Sequence, residues 1–192
     1  MTNFFIKTDL SRKDAENIVS DTLNNCDDGE LFLENSKSES IILDDEKIKS
    51  SSYSSDLGYG LRAVTGEVIA YSHSNEISKN SLKQSAKNIN STLKSKKGVY
   101  NQEIPKTNEK FYKDVNPIEK KTLDSKLELL KEINNYTRSK GTIVKQVTAS
   151  LTGEHKSIEI IRCGGEVLTD IRPLVRFNVS VVLEKNGKKE TG

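Results

Sequence analysis

From Glu166 to Glu184 the sequence reads EVLTDIRPLVRFNVSVVLE, and apolar and polar residues alternate with a period of two. Val167, Thr169, Ile171, Pro173, Val175, Phe177, Val179, Val181 and Leu183 fall on one side, while Asp170, Arg172, Arg176, Asn178, Ser180 and Glu184 fall on the other. Successive side chains of a strand point to opposite faces, so this pattern predicts one long strand with an apolar and a charged face. Pro173 marks the place for a bend. Asn186-Gly187 follows, a dipeptide suited to a type I′ hairpin turn. A return strand should come next, yet only Lys188 to Gly192 remain. So short a remainder predicts that the chain is part of a longer one.

The same reading places a first helix after Asp9 or Ser11, running to about Asn24, with Leu10, Ala15, Ile18, Val19 and Leu23 on its apolar side. Four short strands are expected at 30–34, 38–43, 47–53 and 57–64, and a fifth at 67–73 after the Thr65-Gly66 turn. Gly58 and Gly60 share the face opposite Leu57, Tyr59, Leu61 and Ala63, and another backbone or a helix is expected to approach closely there. Ser78 caps a second helix, whose Leu82, Ala86, Ile89 and Leu93 form one stripe. Residues 98–121 read as a polar connector. Thr122 caps a third helix, with Leu123, Leu127, Leu130 and Ile133 as its core face and Gly141 as its terminator. Strands at 142–151 and 156–163 precede the long one, with turns at Gly153 and Gly164-Gly165. The predicted fold class is α+β, mainly antiparallel sheet with about three helices: helix, β-meander, helix, connector, helix, β-meander.

Composition narrows the function. Thirty basic and 28 acidic residues leave a formal net charge of +2, which gives no general case for nucleic-acid binding. No apolar run approaches the ~20 residues of a membrane helix, and the N-terminus lacks a secretory pattern, so a cytoplasmic chain is expected. Cys26 and Cys163 stand far apart and in no paired motif, which argues against a disulfide framework. His73 and His155 have no partner at metal-ligand spacing. There is no G-x-S-x-G elbow and no phosphate loop. One constellation remains: Asp170, Arg172 and Arg176 on one face of the long strand. It could grip a carboxylate or backbone carbonyls, pair with a neighbouring domain, or lie in solvent.

Three blocks carry a resemblance: GYGLRAVTGEVIAYSHSNEIS (Gly58–Ser78), VKQVTASLTGEHKSIEIIRCGG (Val144–Gly165) and the tail TDIRPLVRFNVSVVLEKNGKKETG. In order and spacing, from about Asp28 to Gly192, they resemble the N-terminal part of TldD-like proteins in the TldD/PmbA family. The resemblance implies soluble zinc-dependent peptidases whose metal is held in a C-terminal domain by a helical HExxxH motif and a distant cysteine. It also implies a PmbA/TldE-like partner subunit and peptide substrates, including peptide-antibiotic precursors and unfolded antitoxins. The family was once described as modulating DNA gyrase. This chain contains no HExxxH, so no catalytic or metal residue carries over. Residues 1–192 are accordingly expected to form an N-terminal domain, with subregions 1–97 and 122–192 joined by 98–121. Zinc and the catalytic C-terminal domain would lie outside it, and the chain alone would be inactive. Asp170, Arg172 and Arg176 are then candidates to meet substrate or an adjoining domain. The alternative reading is a stand-alone peptide- or protein-binding module.

Overall fold

The computed structural model describes residues 3–94, 97–99 and 111–192. Among these residues there are three helices, α1 (Arg12–Leu23), α2 (Lys79–Leu93) and α3 (Leu123–Arg138). Six strands, β1 (Asp28–Asp44), β2 (Lys47–Thr65), β3 (Val68–Ser74), β4 (Val144–Arg162), β5 (Val167–Lys185) and β6 (Lys188–Thr191), form one antiparallel sheet in the order β3-β2-β1-β4-β5-β6. The α+β class is therefore as expected. No helix among the described residues is long and apolar enough to cross a membrane.

The long strands correct the sequence reading. Five short strands were expected between 30 and 73, where β1, β2 and β3 stand, and β4 runs uninterrupted through the turn expected at Gly153. Polar stretches such as Ser54-Ser55-Asp56 resemble breaks, but an antiparallel strand with a solvated face accepts polar residues without ending. Gly153 serves a close approach instead. A Cβ there would stand 3.2 Å from Ile118 Cγ1, tighter than ordinary contact, so the missing side chain admits Ile118 against the strand. The hairpin turn at Asn186-Gly187 is as expected, with φ of 54° and 77°.

The chain divides into two compact units, each drawn from three stretches: Met1–Ser36, Asp56–Lys113 and Lys156–Ile171 in the first, Lys37–Ser55, Asp114–His155 and Arg172–Gly192 in the second.

In the first unit α2 packs against both α1 and β3. Ser11 Oγ accepts from the Asp14 amide and Ser78 Oγ from the Ser81 amide, satisfying donors that each helix start leaves free. Val19 and Leu23 of α1, Leu82 and Ile89 of α2, Leu31, Leu33, Leu61 and Ile161 of the strands share one buried cluster. Each such aliphatic side chain contributes about 1.5–3 kcal/mol on burial. Asp27 ties the edges together, its carboxylate accepting from the amides of Gly66 (2.6 Å) and Val99 (2.8 Å). These bonds hold its pKa below the usual aspartate value. On the other sheet face the expected backbone approach occurs at Gly58, where a Cβ would stand 2.9 Å from the Ser74 carbonyl oxygen, whereas at Gly60 it is the Tyr71 side chain that comes close, its hydroxyl 2.5 Å from where a Cβ would be.

The second unit has a single helix. Leu130 of α3 packs on Ile41, Leu43 and Ala149, with Leu127, Ile133 and Leu151 around them. Leu123, expected in this core, is 45% exposed, and Lys126 and Asn134 are buried instead. The stripe through 126, 130 and 134 is spaced by four residues, and it is this line that faces the sheet. Thr122 caps the helix as expected, but the end falls at Ser139, two residues before Gly141. Residues 100–110 of the expected connector lie outside the described residues.

Candidate functional site

Within the second unit, α3 covers only part of the sheet beside it. A cleft of about 390 Å³ opens there, lined by Ser125, Glu128, Leu129 and Glu132 of α3, by Leu151 and Gly153 of β4, by Val175 of β5, and by Glu39, Pro117, Lys121 and Lys126. Pro117 sits next to Ile118, whose approach Gly153 permits, so the position of this loop follows from the missing side chain in β4. Glu128, Leu129 and Glu132 fall on one side of α3 because their spacing of one, three and four residues places them on adjacent turns.

Lys126 is the most unusual lining residue. Its side chain is 7% exposed, and its ammonium donates to the Glu39 carboxylate and, at 2.6 Å, to the Ile118 carbonyl. A buried ammonium requires such partners, because unpaired burial of a charge is costly. These bonds fix Lys126 in place and cancel the Glu39 charge. Glu128 and Glu132 make no ion pair among the described residues.

The three residues singled out in the sequence are all on β5, but they do not fall in one unit. Asp170 belongs to the first, where its Oδ1 accepts from the following Ile171 amide at 2.8 Å, and Arg172 and Arg176 belong to the second. Both arginines are exposed. Alternation along β5 sets Val175, which lines the cleft, on the opposite face from Arg172 and Arg176. The apolar face of β5 is also more open than its pattern suggests. No residue of β5 is fully buried, and Val175 and Phe177 are 55% and 43% exposed.

Other charged groups are engaged internally. In the first unit Arg62 donates to both Glu30 oxygens (2.7 and 2.8 Å) and to Asp28 (2.5 Å), and Arg162 donates to the other Asp28 oxygen (2.8 Å). Glu30, then burial, then Asp28 are the largest influences on Arg62, and its charged form is favoured on balance. Glu159 is buried with one oxygen on Arg12 at 2.7 Å. In the second unit Asp44 accepts from Gln146, Thr148 and Lys49, which lower its pKa to about 2.

A zinc site needs three or four ligands on one point. Among the described residues no group of His, Cys, Asp and Glu converges in that way. His73 stacks on Tyr71, and His155 lies 3.4 Å from Asp114. The Cys163 thiol donates to the Leu23 carbonyl at 3.2 Å, and Cys26 points to that of Thr22. Burial pushes both thiols up, so neither is a ready thiolate. These residues do not fit zinc, and no metal chemistry is assigned to them.

Sequence reasoning missed the cleft. Lys126 carried a signal, since it stands four residues before Leu130 and so on the buried line of α3. The pairing with Glu39, 87 residues away, left no mark in the sequence.

Two family models match the chain in succession: PmbA/TldA metallopeptidase domain 1 over residues 29–91 and the PmbA/TldA metallopeptidase central domain over residues 116–192. A TldD-homologue metalloprotease of Buchnera aphidicola from Acyrthosiphon pisum is 38% identical over 167 residues, covering 86% of this chain and 35% of the relative. The Haemophilus influenzae homologue is 34% identical over 174 residues, with coverage of 88% and 36%. TldE from Thermococcus kodakarensis shares the fold with a TM-score of 0.69 at 12% identity, over 92% of this chain and 40% of that one. The fold and its matched segments are thus those of successive metallopeptidase-family domains. The chain belongs to the TldD/PmbA family. It spans little more than a third of the length of these curated relatives.

Proposed function

We propose that this chain is the N-terminal, non-catalytic portion of a TldD-like zinc metallopeptidase that processes or degrades peptides and unfolded small proteins. Its role is to shape the substrate cleft and to contact a TldE/PmbA-like subunit. The observation that carries this reading is the order of the two family matches, first domain and then central domain, over 29–91 and 116–192. The names of the relatives, metalloproteases of the TldD type, support the peptidase assignment. Zinc and the hydrolytic step would then belong to residues beyond those present here. The TldE structure among the neighbours supports a partner of that kind.

A free sheet edge suits an extended, sequence-indifferent peptide, because main-chain hydrogen bonds supply the affinity. Asp170, Arg172 and Arg176 of β5 are proposed to meet substrate or an adjoining domain. The test is a complete TldD-like enzyme carrying this region. Arg172→Ala and Arg176→Ala should lower cleavage of an unfolded peptide more than they lower the unfolding midpoint. Unchanged cleavage together with a large loss of stability would make both arginines structural props and contradict their assignment.

A further inference from the structure

We propose that Cys26 and Cys163 are a reversible redox pair, whose disulfide staples the end of α1 and the start of β1 to the end of β4. The proposal is independent of the peptidase reading, and both residues lie in the first unit. Three observations carry it. The first is convergence on one helix end. The carbonyl of Leu23, the last residue of α1, accepts from the Cys26 amide at 3.0 Å and from the Cys163 thiol at 3.2 Å. The Cys26 thiol points to the preceding carbonyl, that of Thr22, at 3.9 Å. The two sulfurs thus sit over consecutive carbonyls of one turn, and Cys26 is among the influences that raise the Cys163 thiol.

The second observation is the surroundings. Cys26 and Cys163 are 2% and 6% exposed and belong to the same buried cluster as Leu23, Leu31 and Ile161. A thiol is a weak donor, and the Leu23 carbonyl keeps the Cys26 amide when the Cys163 thiol leaves it. An S–S bond, which has no donor to satisfy, suits such a cluster. The third is backbone freedom beside each cysteine. Bridged cysteines hold their Cα atoms about 4.4–6.8 Å apart, so local adjustment matters. Gly164 and Gly165 follow Cys163 with φ of 96° and 84°, and a Cβ at Gly165 would meet nothing within 4 Å. On the other side Asn24 and Asn25 separate Cys26 from the end of α1.

Oxidation removes one hydrogen from each thiol and forms one S–S bond. The two electrons pass to a low-molecular-weight disulfide such as oxidised glutathione, which leaves as two thiols. Burial pushes both thiols up, and this slows thiolate attack. The position of equilibrium is set instead by how well the fold accommodates the bond, so the pair is a slow one that is read after hours of equilibration.

The test equilibrates the 192-residue chain, folded and in urea, against graded ratios of oxidised to reduced glutathione, followed by acid quenching and intact and peptide mass measurement. The folded monomer should lose two hydrogens and yield one cross-linked peptide joining Cys26 to Cys163. It should do so at an oxidant ratio on the order of a hundredfold lower than the unfolded chain requires, because a bond that stabilises the fold is favoured by the fold in the same measure. The oxidised form should unfold about 5–10 °C higher, and reductant should reverse both changes. Cys26→Ala and Cys163→Ala should each abolish the cross-link, and the mapping of the unaltered chain stands whether or not these variants fold. Free thiols at every ratio, glutathione attached to each cysteine, a cross-link between two chains, or a bond formed no more readily by the folded than by the unfolded chain would overturn the pair.

Discussion

The two units solve the same problem with unequal means. In the first, among the described residues, two helices close over the sheet, and nineteen buried residues form one cluster that includes Val19, Leu31, Leu61, Ile89 and Ile161. In the second, one helix closes over Ile41, Leu43 and Ala149, and the buried cluster has four members. The consequence is visible on the outer strands of the second unit. Every residue from Lys47 to Ser55 in β2 is exposed, and so are Leu174, Val175 and Phe177 in β5. A sheet needs cover for its apolar face, and α3 alone provides it for little more than the middle strands. The lesson is one of cover: the first unit buries its apolar face under two helices, and the second leaves more of its apolar surface exposed among the described residues.

The largest test of that contrast lies in the two cores. Leu61→Ala should destabilise by about 4 kcal/mol, because a densely packed cluster cannot collapse around the gap, whereas Leu130→Ala should cost about 2–3 kcal/mol in the smaller core. Denaturant unfolding followed by circular dichroism measures both, and equal costs would break the contrast. A smaller effect is expected from Lys126→Ala, which strands Glu39 half-buried; about 2 kcal/mol is expected, and Lys126→Met should recover part through packing alone.

The smallest effect is in pH dependence, where the units should differ in sign. In the second, hydrogen bonds from Gln146, Thr148 and Lys49 take Asp44 from 3.8 to about 2. Its contribution is complete above pH 3.8 and is lost as pH falls through about 2. In the first, burial raises Glu159 above its ordinary 4.5, opposed by Arg12. Its contribution is complete below pH 4.5 and is lost as pH rises through the raised value. Asp44→Asn should therefore flatten the acid limb of a midpoint-against-pH curve, and Glu159→Gln the limb above pH 4.5. The same limb flattened by both variants would show that the signs are wrong.

Local chemistry was legible in the sequence where it acts through neighbours along the chain. Ser11, Ser78 and Thr122 cap helices, and Asn186-Gly187 turns the last hairpin, because each acts within a few residues. Strand ends were less legible: the polar stretch around Ser36 passes through β1 and Ser54-Ser55 through β2, where an open sheet face tolerates them. Gly153 looked like a turn because a glycine required by a neighbour above the strand and one required by a bend are the same letter. The cleft depends on Glu39 meeting Lys126 and on Ile118 meeting Gly153, long-range contacts without a local signature. The amphipathic pattern of β5 was read correctly as a strand, yet pattern alone could not say whether a helix covers its apolar face.

The most direct measurement is hydrogen–deuterium exchange of the 192-residue chain with and without a saturating unfolded peptide. New protection is predicted in β5 around Asp170, Arg172 and Arg176, with little change in α1, α2 and β3. Protection confined to those first-unit elements, or no protection anywhere at saturation, would contradict the account.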